Sequence, residues 1–354
     1  MECFPINLTS PEDVTASLLS WFDGRTRPVP WRSERDPYRI WVAEVMAQQT
    51  RIETVAGYYA RFIDRFPSVS KLAEAGLDDV LKLWEGMGYY ARARNLHAAA
   101  RHITRHHAGR LPASVGGLRT LAGVGPYTAG AIASIAFGIA EPAIDGNARR
   151  VLSRLFDLET ASPEDLDRAA RTLLAEAPDR PGAVNQAIMD LGGSVCTPRH
   201  PDCECCPLMS DCRARTRDTV AKRPPPRRRA PVPSRYAASA IVRREGRVFL
   251  VRRPLDGLLG GLWDFPGVAP SAEPIGRDAL RDGIVRDWGL LSEVGECAGS
   301  VVHAFSHFRL TLAVYEAAWR SGEPPPNVEA RWCSPEDFES VAFPAYLQTF
   351  LEVC

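Results

Sequence analysis

Lysine is almost absent. Only Lys71, Lys82 and Lys222 occur among 354 residues, so a mechanism through an amine nucleophile has very few candidates. An excess of either charge is also missing. Forty-three basic residues balance 43 acidic ones, so a polyanionic partner must be met by a local patch and not by total charge. No apolar run long enough to cross a bilayer survives. Thr120 to Ala140 carries no charge, but Gly123, Gly125 and Pro126 break it near its start. The amino terminus, MECFPINLTSPEDV, has neither the basic nor the long apolar region of a secretory signal. The chain is therefore expected in the cytoplasm, away from membranes. With 45% hydrophobic and 24% charged residues, it is not a disordered chain, a collagen or a coiled coil.

Its length exceeds what one core ordinarily holds, so two domains are expected. The first two hundred residues read as successive helices. Ser10 followed by Pro11, Glu12 and Asp13 makes a helix start. Apolar residues at three- and four-residue spacing predict further helices over 91–108, 147–157, 163–177 and 183–192. From Arg213 to Arg235 nine basic residues stand against one acid, Asp218, among many prolines, which predicts an extended linker. It is either a solvated tether or a phosphate-contacting segment. Beyond it, short runs rich in β-branched and aromatic residues predict strands over 240–242, 248–251, 301–308 and 310–315, with a helix over 279–288. The expected fold is multidomain. A mainly α domain spans residues 1–216, a Pro/Arg-rich linker residues 217–234, and an α/β domain residues 235–354.

The nine cysteines are not spread as a disulfide framework would be. Five fall between Cys196 and Cys212, which favours a metal site. Cys196, Cys203, Cys206 and Cys212 are separated by six, two and five residues. Four thiolates on one loop suit zinc or an iron–sulfur cluster. Spacing does not choose between them, and Cys205 could replace Cys206. Arg199, Arg213, Arg215 and Arg217 flank the loop with positive charge.

Three further motifs carry chemistry. In LRTLAGVGPYTAGAIASIAFG, Gly123, Val124 and Gly125 form a tight hairpin ahead of a helix beginning near Pro126. Glycines permit close backbone approach, and a helix amino terminus offers N–H groups to a nucleic-acid phosphate. A plain helix–turn–helix packing corner would have the same pattern. In IDGNARRVLSRLF, Asp145 precedes an arginine-rich helix, as an N-cap or as a functional acid. In PYRIWVAEVMAQQT, Glu44 lies at the edge of an apolar stripe, facing solvent or partly buried. Burial would raise its pKa and suit it to donate a proton near neutrality.

Together these motifs resemble the MutY-type adenine DNA glycosylases of the helix–hairpin–helix superfamily, which includes endonuclease III. The matching residues are PWR (30–32), AEVMAQQT (43–50), GMGYYARARNLH (86–97), the hairpin, the Asp145 motif, NQAIMDLGGSVC (185–196) and the cysteine loop. They run in family order over residues 20–212. Lyase-type members of the superfamily carry a catalytic lysine two residues after Gly-Val-Gly. Here that residue is Tyr127, which implies a monofunctional glycosylase.

The resemblance implies roles. The target base leaves the stack, Glu44 protonates adenine, and an ionised Asp145 stabilises the oxocarbenium-like sugar. Tyr127 and Asn147 position Asp145 and the water. Trp31, Arg32 and Gln186 line an adenine pocket. Gln49 and Tyr89 fill or wedge the duplex beside the opposing base, although Ala47 is smaller than the residue expected there. The cysteine loop holds a 4Fe-4S cluster. Residues 235–354 resemble a Nudix fold through GGLWDFPGV (260–268), but Gly283 and Arg286 replace two glutamates that a hydrolase needs on RDGIVRDWGL (281–290). This implies lesion recognition, with Phe305, Ser306 and His307 sensing the damaged guanine. The implied partner is double-stranded DNA with adenine opposite 8-oxoguanine or guanine, bound by a monomer at the nucleoid. The rivals are a sister glycosylase acting on a pyrimidine opposite guanine and a nucleotide pyrophosphatase.

Overall fold

The computed structural model describes residues 10–25, 29–225 and 231–352. Residues 1–9 of the amino-terminal stretch, with Cys3, lie outside the described residues. So do linker residues 226–230 and Cys354.

The helices before the first strand are α1 (Pro11–Asp23), α2 (Pro37–Ala47), α3 (Ile52–Arg65), α4 (Val69–Glu74), α5 (Leu77–Trp84) and α6 (Ala91–His106). They continue with α7 (Val115–Arg119), α8 (Pro126–Phe137), α9 (Gly146–Leu155), α10 (Pro163–Ala175), α11 (Pro181–Ser194) and α12 (Arg213–Thr216). Then come β1 (Ser234–Arg244), β2 (Arg247–Arg252), β3 (Trp263–Asp264), β4 (Gly267–Ser271), α13 (Arg277–Trp288), β5 (Leu291–Ala304), β6 (Arg309–Ser321), β7 (Ala330–Cys333) and α14 (Gln348–Leu351). Two compact units divide the chain, Met1–Glu74 with Ala98–Arg228, and Ala75–His97 with Arg229–Cys354.

In the first unit the helix starts are set locally. Ser10, Asp36, Asp145 and Ser162 each accept from a backbone N–H two or three residues on, and Pro11, Pro37 and Pro163 occupy first-turn positions. The core joins α1, α9, α10 and α11 through Val14, Leu18, Leu152, Leu173, Val184 and Ile188. Each such side chain contributes roughly 1.5–3 kcal/mol when buried. The charge-free run supplies α8, whose residues from Thr128 to Ser134 are buried. Among the described residues no helix is long and apolar enough to cross a membrane.

The arginine-rich stretch departs from an extended tether in its first part. It contains α12 and a 3-10 turn over Val220–Lys222. The cause is the buried Asp157, which accepts from Arg217 at 3.2 Å, the Thr219 hydroxyl at 2.6 Å and Arg223 Nε at 2.8 Å. Burial pushes the Asp157 carboxyl up, but these bonds outweigh it and hold it below the ordinary carboxylate value.

The second unit is built on a mixed sheet in the order β3-β2-β1-β6-β5, with β4 paired to β1 and β7 to β2. The β1–β6 pair is parallel, and the other pairs are antiparallel. Leu280 and Ile284 of α13 pack with Val242, Phe249 and Leu290 on one face. Ile241, Leu250, Leu312, Phe338 and Phe343 form another apolar layer. The unit also takes in α5, whose Asp78 accepts from Arg252 at 2.9 Å.

The strand expected over 301–308 stops at Ala304. Phe305 N donates to Phe308 O at 2.9 Å, closing a turn between β5 and β6. Phe305, Ser306 and His307 therefore stand on a hairpin loop and not along a strand.

Candidate active site

Glu44 sits in the third turn of α2 among buried Trp41, Val45 and Met46, and only 8% of it is exposed. Helix α2 packs on α8, and Gln48 Nε2 donates to Thr128 Oγ1 at 3.0 Å. This places Tyr127, in the first turn of α8, against Glu44. The Tyr127 hydroxyl donates to Glu44 Oε2 at 2.8 Å. Burial pushes the Glu44 pKa up to about 7. The Tyr127 bond and the Arg32 charge oppose the rise, and the Asp145 charge adds to it.

Asp145 is the N-cap of α9. Its Oδ1 accepts from Ala148 N at 2.7 Å and its Oδ2 from Asn147 Nδ2 at 3.1 Å. Burial raises its pKa, and these bonds together with the Arg150 charge restrain the rise. The Tyr127 hydroxyl, expected to position Asp145 and the water, bonds Glu44 and lies close enough to feel the Asp145 charge, and Asn147 bonds Asp145.

The approach to Asp145 is pinned from two sides. A Cβ at Gly130 would collide with Pro142 O, so α8 lies directly against residues 142–143, which lead to Asp145. Buried Asn185 of α11 accepts from Ala143 N at 3.1 Å and donates to Ser134 Oγ and Glu141 O, both at 2.9 Å. Arg32 reaches the same helix, donating to Gln186 Oε1 at 2.8 Å and Asp190 Oδ2 at 2.6 Å. Arg32 and Gln186 line a cavity of ≈ 310 Å³ that Glu44 and Asp145 do not line. Trp31 is turned onto Tyr59, with ring centroids 5.1 Å apart.

Asn185, Asp190, Arg150 and Arg154 escaped the sequence reading. A legible signal existed for the last two, since they stand four residues apart on one face of α9. Arg150 donates to Asn147 Oδ1 at 2.8 Å, Gly192 O at 2.6 Å and Cys196 O at 2.7 Å. It thereby joins the residue that holds Asp145 to the start of the cysteine loop. Arg154, 3% exposed, donates to Cys196 Sγ at 3.3 Å and Thr197 O at 2.7 Å. Its other nitrogens donate to Pro198 O at 3.2 Å, Val220 O at 3.2 Å and Arg223 O at 3.0 Å.

Cys196, Cys203, Cys206 and Cys212 line one pocket with Val195, Pro201 and Met209, while exposed Cys205 does not line it. None of the four is in a disulfide. Burial pushes the Cys206 thiol up to about 11 and raises that of Cys212 as well, so thiolates there need a cation beside them. Among the described residues, no three His, Cys, Asp or Glu side chains converge as ligands of one metal ion.

At the hairpin, Gly123 has φ 76°, Val124 is buried, and Gly125 caps α8 with no atom within 4 Å of where a Cβ would stand. Gln49 is exposed at φ 57°. In the second unit Tyr89 is 47% exposed. There Phe305 stacks on Phe308 with centroids 4.7 Å apart, while Ser306 and His307 are exposed. On α13, Asp282 bonds Arg281 and Asp287 bonds Arg286.

A helical unit with a hairpin leading into a helix whose Tyr127 bonds a buried acid, and a second acid capping the next helix, has a counterpart among known families. Residues 42–176 match the HhH-GPD superfamily of base excision DNA repair proteins, and residues 237–353 match the NUDIX domain. The solved structure of a thermostable thymine-DNA glycosylase superposes with TM-score 0.53 at 26% identity, covering 58% of this chain and 97% of that one. The class is thus that of the helix–hairpin–helix DNA glycosylases, carrying a Nudix-like domain.

The relatives narrow it further. An adenine DNA glycosylase of Homo sapiens is 38% identical, covering 93% of this chain and 72% of that protein. One of Mus musculus is 37% identical, covering 93% and 76%. The chain belongs to the adenine DNA glycosylase family of base excision repair enzymes.

Proposed function

We propose that this enzyme hydrolyses the N-glycosidic bond of adenine mispaired with 8-oxoguanine or guanine, leaving an abasic site. The observation that carries the reading is a pair of acids in unlike settings. Glu44 is buried, bonded by Tyr127, and pushed up to about 7. Burial raises the Asp145 pKa too, but two donors and the Arg150 charge restrain that rise and favour its charged form. Environments that separate two carboxyl groups assign the acid and the base.

The base must leave the stack to be reached. Glu44 then protonates a purine ring nitrogen, so that adenine departs as a neutral base when the bond to the sugar breaks. Tyr127 occupies Oε2, which leaves Oε1 to carry the proton. Asp145 stabilises the positive charge that develops on the sugar. Asn147 fixes the Asp145 carboxylate, and water takes the vacated position on the sugar carbon. With Tyr127 in place of a lysine after the hairpin, no Schiff base forms, and strand cleavage waits for other agents. Arg32, Gln186 and Trp31 belong to the adenine pocket, Arg32 being set by Gln186 and Asp190.

Four soft thiols around one pocket suit a 4Fe-4S cluster held at its corners. When bound at Cys196, Cys203, Cys206 and Cys212, the cluster would cross-link the loop and supply no step of base removal. Gly123, Val124 and Gly125 offer backbone to phosphate, and Gln49 and Tyr89 enter the duplex beside the opposing base. Phe305, Ser306 and His307 read the lesion from the Nudix-like domain. The functional division is 1–216, 217–234 and 235–354, in a monomer acting at the cytoplasmic nucleoid.

The test is single-turnover adenine release from duplexes with 8-oxoguanine, guanine or thymine opposite, each sample split and analysed with and without alkali. Cleavage after alkali alone, faster opposite 8-oxoguanine and guanine than opposite thymine, is expected. Equal rates for all three partners would end the mispair reading, and strand breaks without alkali would end the monofunctional one.

A further inference from the structure

Between α5 and α6 the chain reads Trp84-Glu85-Gly86-Met87-Gly88-Tyr89-Tyr90. It turns through positive φ at Gly86 (89°), Gly88 (75°) and Tyr89 (49°). Glycine takes such values freely, whereas a tyrosine keeps one only where its surroundings enforce it. Those surroundings centre on Arg92. Its guanidinium donates to Gly88 O at 3.1 Å, the carbonyl just before Tyr89, and Trp84 Nε1 donates to the same oxygen at 3.1 Å. The Tyr90 hydroxyl accepts from Gly86 N at 3.1 Å and closes the loop from the other side.

The guanidinium also meets two aromatic rings. Its central carbon lies 5.3 Å from the Trp84 ring centroid and 5.5 Å from that of Tyr89, within the range of a cation–π contact. Arg92 is only 8% exposed, while Tyr89 is 47% exposed. A buried cation thus grips one side of a ring that is otherwise open to solvent. Burial lowers the Arg92 pKa to about 10, still far above neutrality, so the grip persists at any working pH.

We propose that Arg92 is a positioning residue for Tyr89, clamping its backbone and ring in the outward setting from which Tyr89 enters the duplex beside the mispair. This rests on the proposed wedging role of Tyr89.

A double-mutant cycle tests it, with the ratio of single-turnover rates on adenine opposite 8-oxoguanine and opposite guanine as the readout. Tyr89→Ala and Arg92→Met are each expected to lower this ratio about tenfold, and the double variant to be no lower than Tyr89→Ala. A 2-aminopurine placed beside the mispair should likewise lose its enzyme-induced fluorescence change in both single variants. If the two losses multiply, or if Arg92→Met keeps the parent ratio while Tyr89→Ala does not, Arg92 does not act through Tyr89 and the proposal falls. A parent ratio in Tyr89→Ala removes the wedging reading and the proposal with it, an outcome the cycle separates from the previous one. Should Arg92→Met not fold, Arg92→Lys, which keeps the cation but not the planar fork, enters the same cycle with the same outcomes.

Discussion

The hydroxyl of Tyr127 donates to Oε2 of Glu44 across 83 residues of chain, at 2.8 Å. A donor of this kind favours the charged carboxylate and so works against the burial that raises the Glu44 pKa to about 7. Removing it should let burial prevail. In Tyr127→Phe the alkaline limb of the single-turnover pH profile is expected to move to higher pH, because Glu44 keeps its proton longer. A limb that stays put or moves down would show that Glu44 does not set it.

Glu44→Gln should lower the rate of base removal by about 10²–10⁴ while sparing DNA affinity, as loss of a general acid does. Rapid quench and a fluorescence-anisotropy titration separate the two.

The same variant has a stability signature. Glu44 moves from 4.5 unperturbed to about 7 when folded. Between these values the native state holds a proton that the unfolded chain has released, so this group's contribution to stability falls as pH rises through the window. The loss is complete above it and on the order of 3 kcal/mol. Glu44→Gln should therefore melt higher than the parent in mildly alkaline buffer and lose this advantage in acid, which calorimetry at both ends would check.

Asp145 caps α9 and carries the proposed charge, and two substitutions part these tasks. Asp145→Asn can still accept from Ala148 N and should fold as the parent does, with base removal strongly impaired. Asp145→Ala should cost about 1 kcal/mol of stability as well, the usual loss on removing an N-cap. Denaturant melts alongside single-turnover rates distinguish them.

Gly130→Ala places a methyl group into Pro142 O. Backbone on both sides leaves little room to yield, so a loss of about 1–3 kcal/mol is expected, with a slower rate through displacement of Asp145. An equally stable, equally active variant would contradict the close packing of α8 against residues 142–143.

What the sequence disclosed was chiefly local. The start of α1 at Ser10 and Pro11, the hairpin ahead of Pro126 and the α9 start at Asp145 depend on neighbours within four residues, and each was legible. Glu44 was singled out, but periodicity alone left it at a stripe edge. Its burial follows from α8 lying across α2, which no local pattern encodes. The same holds for the Tyr127 bond to Glu44, and for Asn185 holding Ala143 N from 42 residues away. The linker misled by composition. Arginine and proline read as an extended segment, solvated or phosphate-contacting, yet Asp157, more than sixty residues before Arg223, draws three side chains onto the end of α9. At 301–308 the apolar run resembled one strand because Phe305 and Phe308, which stack on each other across the turn, are as apolar as strand residues.

Arg154 has a consequence for where the helical unit can be cut. Its buried guanidinium is shared between the cysteine loop and the carbonyls of Val220 and Arg223. A shortened chain ending at residue 216 would keep every cysteine of the loop and every residue of the candidate catalytic site. It would still strip two acceptors from that guanidinium and all three donors from Asp157. A cut that keeps these bonds therefore falls after Arg223, several residues past the point where composition alone would place the scissors.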